Sequence, residues 1–161
     1  MNLLTALVAL AAIVYVLVRR FAGEPLEGRR LVVLPLVLVI VGVSQLSGVH
    51  ATPLAVAVLV VGGVVAAALG AVRGLTVQVY GRDGHLWYRY RPLTIVVWLA
   101  SLLLRLGQIV AAQALGADPS VLGKGLLPIL GVSLLGEALV VGKRALGTGI
   151  PFAPQGSRRV R

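Results

Sequence analysis

The sequence predicts an all-α integral membrane protein with five transmembrane helices and a cytoplasmic β-hairpin between the third and fourth. Three observations lead there. Hydrophobic residues make up 58% of the 161-residue chain and charged residues only 12%, with a mean hydropathy of +0.99. A soluble domain carries roughly 25% charged residues, because its surface must be hydrated. Several apolar runs approach or exceed the ~20 residues needed to cross a hydrocarbon layer of ~30 Å. Between two of these runs lie residues 73–92, RGLTVQVYGRDGHLWYRYRP, the longest polar segment between long hydrophobic runs and the one that alternates like a strand.

The first expected span, 3–18, is short but continuous, and Arg19 and Arg20 behind it can snorkel toward headgroups. In a signal peptide positive charge precedes the apolar core, whereas here it follows, so a retained helix with its N-terminus outside is expected. Gly23, Pro25 and Gly28 then favour a turn or short loop. The second span, 31–46, carries Pro35 in its first turns, where a missing backbone donor costs least, and ends in the polar residues Ser44, Gln45, Ser47 and His50. In the third span, 53–71, Gly62, Ala66 and Gly70 recur every four positions, which permits close helix approach. The fourth, 92–112, opens on a first-turn proline and holds Trp98, Arg105 and Gln108. The fifth, 121–141, contains Pro128 and has Glu137 near its inner end. Residues 1–145 read as one membrane domain, and 146–161 as a basic, Pro/Gly-rich flexible cytoplasmic tail.

Residues 75–91 read as the hairpin. Val, Thr, Tyr and Trp suit strands, and Asp83 with Gly84 suits a tight type I′ turn. That turn sets Tyr80 opposite Trp87, Val79 opposite Tyr88, Gln78 opposite Arg89 and Val77 opposite Tyr90. An isolated two-stranded hairpin is marginal in water, so this one must rest on helix ends, headgroups or a partner's strands. Arg73, Tyr80, Asp83, Gly84, Trp87, Tyr88, Arg89, Tyr90 and Arg91 are its candidate interface residues. The net charge of +10 is explained by topology. Thirteen of the fifteen Lys and Arg residues fall on segments expected inside, with Lys124 outside and Arg105 within a span. Such charges fix orientation and meet anionic headgroups, so lipid and not nucleic acid is the expected polyanion.

Arg105 and Glu137 are the intramembrane anomalies, since a charge in hydrocarbon costs roughly 2.5–3.5 kcal/mol even on lenient insertion scales and normally faces protein or water. Arg105 shares its depth with Gln108, Ser44 and Gln45, which would give an outer-leaflet polar cluster: a packing bridge, a ligand or transport site, or a snorkelling arginine. Glu137 lies nearer the inner edge, level with Arg73, Arg91 and Lys143, and pairs with Arg105 only if the helices are offset. Cysteine is absent, which excludes disulfides, thiolate metal sites and thiol redox chemistry. No metal-ligand, nucleophile or phosphate-loop motif occurs, so neither catalytic residues nor a cofactor are expected.

The segment formed by Arg73, Gly74, Leu75 and Thr76, the Asp83 and Gly84 turn, and the following Trp87, Tyr88 and Arg89 resembles the CcdC-like small membrane proteins, long a domain of unknown function. The resemblance extends over most of residues 1–145. It implies, through the family's name, a link to cytochrome c maturation, in which a chain without cysteine would be an accessory and not a thiol carrier. It carries over no catalytic residue.

The expected function is therefore a non-enzymatic scaffold or accessory protein of the cell inner (plasma) membrane, multi-pass, with its N-terminus outside and C-terminus inside. It would engage a membrane protein partner, or a second copy of itself, through residues 73–92. The rival readings are a small transporter or sensor built on the Arg105 cluster and, last, an enzyme acting on lipid.

Overall fold

A computed structural model describes residues 23–47, 52–117 and 119–154. The expected span 3–18, Arg19 and Arg20, His50, Asp118 and tail residues 155–161 lie outside them. The described chain forms, in order, β1 (Glu24–Pro25), α1 (Gly28–Leu46), α2 (Pro53–Thr76), β2 (Gln78–Arg82), β3 (His85–Arg89), α3 (Pro92–Ala114), α4 (Pro119–Lys124) and α5 (Leu126–Leu146).

The five-span expectation is corrected here. Among the described residues four stretches are long and apolar enough to cross a membrane: Gly28–Leu46, Pro53–Thr76, Pro92–Ala114 and Ser120–Leu146. The strands lie between the second and third of them, not between the third and fourth. Nor are there only two strands. The sheet is three-stranded with order β1-β3-β2, because the segment expected to be a turn supplies Glu24 opposite Tyr88 and Pro25 opposite Trp87. Proline tolerates this position because β1 is an edge strand, where no second ladder needs its N–H.

The β2–β3 register follows from the turn. Asp83 and Gly84 both have positive φ, 53° and 74°, as a type I′ turn demands. Gln78 then faces Arg89, Val79 faces Tyr88 and Tyr80 faces Trp87. Side chains alternate across the ribbon. On one face Arg89 donates to Gln78 Oε1 at 2.9 Å and Arg82 lies 5.1 Å from the Trp87 ring centre. The other face turns toward the helix ends. There Leu86, Val77 and Leu26 are fully buried with Val141 and Ala145 of α5, and Tyr88, Tyr90, Ile150 and Phe152 pack around them. The segment after α5 completes this layer: Leu86 N donates to the Pro151 carbonyl at 3.0 Å, and Ala153 N to the Leu26 carbonyl at 3.0 Å.

Successive helices reverse direction, so the ends joined to the sheet share one side, and the α1–α2 turn and α4 share the other. Of the four spans α5 is the most buried and α3 the least. The reason is legible in side-chain size. Gly131 meets α1 at Pro35 and Val39, while Gly70 and Gly136 bring the α2 and α5 backbones together. Without a hydrophobic force between helices in lipid, such close backbone approach is what holds spans to one another. α3 rests on α2 and hardly touches α5. A wedge remains between them.

Candidate functional site

That wedge is a cavity of about 230 Å³ bounded by α2, α3 and α5. Each helix contributes one stripe at the three-to-four-residue spacing of a single helical face. On α2 the stripe is Gly62, Val65, Ala66, Leu69 and Arg73; on α3 it is Trp98, Ser101, Leu102, Arg105 and Gln108; on α5 it is Leu126, Ile129, Leu130 and Ser133. The walls are mostly aliphatic, and polar groups stand at the two ends.

At one end is Arg105. Its guanidinium lies over Gly62, where a Cβ would come within 2.7 Å of Nη1, and Gln108 Oε1 borders the same spot. Gly62 therefore leaves room for a cation and is not simply a helix-packing residue. Nε, Nη1 and Nη2 of Arg105 are all buried and have no hydrogen-bond partner among the described residues. Counting about 1.5 Å per residue, Gly62 lies about 14 Å from the start of α2, near the middle of a span of ~30 Å. The cation thus lies near the middle of the α2 helix.

At the other end is Arg73, in the last turn of α2 and only 3% exposed. Its Nε donates to Glu137 Oε2 at 2.5 Å, and Tyr90 Oη donates to Glu137 Oε1 at 2.9 Å. Glu137 is thereby satisfied at both oxygens, but Arg73 Nη2 is buried and has no partner among the described residues. Thr76 donates to the Arg73 carbonyl at 2.8 Å, and its oxygen lies 3.0 Å from the Thr94 hydroxyl on α3. Arg144 closes the end of α2: its Nη1 donates within 3.2 Å to the Gly74 and Leu75 carbonyls of the last turn and to that of Val77 just beyond it.

The residues singled out in the sequence separate into three groups. Arg105 and Gln108 line the cavity together. Ser44 and Gln45 are exposed on α1, which packs on α5 and does not border the cavity; Ser44 Oγ is spent on the Val41 carbonyl at 2.8 Å. Glu137 joins Arg73 and Tyr90, not Arg105. Of the hairpin residues, Tyr88 donates to Glu24 at 3.3 Å, Arg89 lies 5.9 Å from the Tyr80 ring centre, and Arg82, Asp83, Gly84 and Arg91 are exposed. Sequence reasoning missed Trp98, Ser101 and Ser133, although Trp98 and Ser101 fall three to four residues apart on the face already marked by Arg105 and Gln108.

The cavity lining contains no carboxylate and no histidine, and Ser101 donates to the Val97 carbonyl at 2.7 Å. It therefore offers no general base and no activated nucleophile. No group of three or more His, Asp or Glu residues able to hold a metal ion occurs among the described residues. The lining thus shows no obvious catalytic group among the described residues. The chain is thus a multi-helical protein with four helical stretches long and apolar enough to cross a membrane, a small β-sheet on one side, and in a half-open cavity an arginine without a hydrogen-bond partner among the described residues. No family model, curated protein or solved structure matches it.

Proposed function

We propose that this is a non-enzymatic, membrane-embedded binding protein, a small carrier or sensor, whose site is the α2–α3–α5 cavity and whose ligand is anionic. One observation carries this reading: three buried Arg105 nitrogens without a hydrogen-bond partner among the described residues, on the wall of a cavity. An unsatisfied buried donor costs about 1–3 kcal/mol, and a charged one more. A purely structural arginine would be bridged, as Arg73 is by Glu137. Midplane sites walled by spanning helices are where small membrane carriers hold their substrates. The cavity exceeds the roughly 150 Å³ known to admit benzene. The accessory reading rests on the excess of the strand-forming segment over a simple linker. One face of that segment is occupied within the chain, which weakens that argument.

Trp98 lines the cavity and provides the readout, with Trp87 replaced by Phe to leave one indole. A brominated long-chain carboxylate added to the protein in nanodiscs is expected to quench Trp98, and the matching alcohol to quench it far less. Arg105→Gln should weaken the carboxylate by about 2–5 kcal/mol, the scale of removing one partner of a buried charge pair, while leaving thermal stability equal or higher. Loss of folded Arg105→Gln protein would instead make Arg105 a structural residue and sink the proposal.

We also infer that the sheet side is cytoplasmic and that the membrane is the plasma membrane. Arg29, Arg30, Arg73, Arg82, Arg89, Arg91, Lys143 and Arg144 lie toward that side, against Lys124 on the other. Since the chain has no cysteine, single replacements Asp83→Cys and Lys124→Cys report directly. An impermeant maleimide applied to intact cells should label residue 124 and spare residue 83, and the reverse pattern would invert the orientation.

A further inference from the structure

From the second polar end of the cavity we infer that the ligand is a bipolar amphiphile: an anionic head for Arg105, an apolar chain, and a neutral hydrogen-bond acceptor, such as a hydroxyl or carbonyl oxygen, for Arg73. This rests on the binding reading above and specifies its ligand. Arg73 Nη2 is buried on the same cavity with no partner among the described residues, an observation independent of Arg105. The two ends differ in charge balance. Arg105 has no counter-ion, whereas Arg73 is already neutralised through Nε by Glu137, itself fixed by Tyr90. A second anion beside Arg73 would place two negative groups against one guanidinium in a low-dielectric site, so the vacant donor calls for a neutral oxygen.

The spacing fits a chain and not a compact anion. Arg73 follows Gly62 by eleven positions on one helix, an axial separation of about 16 Å. Val65, Ala66, Leu69, Leu102 and Leu130 line the interval. They supply an apolar path on which the Ser101 and Ser133 hydroxyls are the polar groups. The carboxylic acids that meet all three requirements are long-chain acids oxygenated at or near the far end.

The test uses the full chain in nanodiscs, with Trp98 fluorescence as the readout in the Trp87→Phe background. The probes are a chain-length series of saturated monocarboxylates, their terminal hydroxy and oxo derivatives, and the matching dicarboxylates. At the best-fitting length the hydroxy or oxo acid is expected to bind about tenfold or more tightly than the plain acid, the scale of a hydrogen bond to a charged group. The dicarboxylate should gain nothing over the plain acid. Arg73→Lys keeps the charge facing Glu137 but removes Nη2, so it should abolish the tenfold preference of the oxygenated over the plain acid. Should that variant not fold, the ligand series on the unaltered protein decides alone. Equal affinity for plain and oxygenated acids, or a dicarboxylate that binds tightest, overturns this inference while Arg105-dependent binding stands. Absence of Arg105-dependent binding for every acid overturns the parent reading instead.

Discussion

Replacing Glu137 with Ala is expected to cost about 3–5 kcal/mol and to lower the midpoint of thermal unfolding in detergent by on the order of 10 °C. Glu137 is 7% exposed on the most buried helix and accepts from both Arg73 and Tyr90. Removing it leaves a guanidinium buried without counter-charge and a tyrosine hydroxyl without this acceptor. The penalty comes from what remains, not from the pair's intrinsic worth: desolvating two ions nearly cancels their attraction. The double replacement Arg73→Met, Glu137→Met should therefore recover most of the loss, because two thioether side chains of similar length fill the space without stranding a charge. Size-exclusion chromatography after stepwise heating measures all three proteins. A Glu137→Ala protein as stable as the parent, or a double variant worse than the single, would show that the ion pair does not hold α2 to α5.

How much of this site the sequence disclosed depends on whether depth or azimuth was required. Position along a helix is countable from residue number, so counting alone sets Glu137 level with Arg73, and that pair forms. Rotation about the bundle is not countable. Counting gives Ser44 and Gln45 the depth of Arg105, yet they stand at the very end of α1, on the far side of α5 from α3. Strand register was legible because a positive-φ dipeptide fixes it locally, and the expected Tyr80–Trp87 and Val79–Tyr88 pairs follow. β1 was not legible. Glu24 and Pro25 have no alternation of their own and become a strand only because β3 offers a free edge. The span count missed for a related reason. Hydropathy marks runs that suit a membrane, but the arrangement of the described chain is four such stretches with the sheet after the second.

The glycines of α2 make the second large prediction, because they are not equivalent. At Gly70 a Cβ would be driven into the backbone carbonyl of Ser133 and to 3.2 Å from the Glu137 nitrogen, whereas at Gly63 it would meet nothing within 4 Å. Backbone cannot rotate aside as a side chain can, so Gly70→Val must push the helices apart. It should cost at least the upper end of the ~1–3 kcal/mol usual for overpacking. Gly63→Ala should be neutral or gain up to ~1 kcal/mol from helix propensity. The displacement also has a functional sign. Arg73 lies one turn beyond Gly70 and Glu137 one turn beyond Ser133, so separating the helices at this crossing stretches the Arg73–Glu137 bond. Gly70→Val should therefore lower stability and also loosen the Arg73 end of the cavity, while binding of a plain carboxylate at Arg105, about 12 Å further along α2, is less affected. Equal stabilities for Gly70→Val and Gly63→Val would mean that the α2–α5 approach is not what fixes the cavity floor.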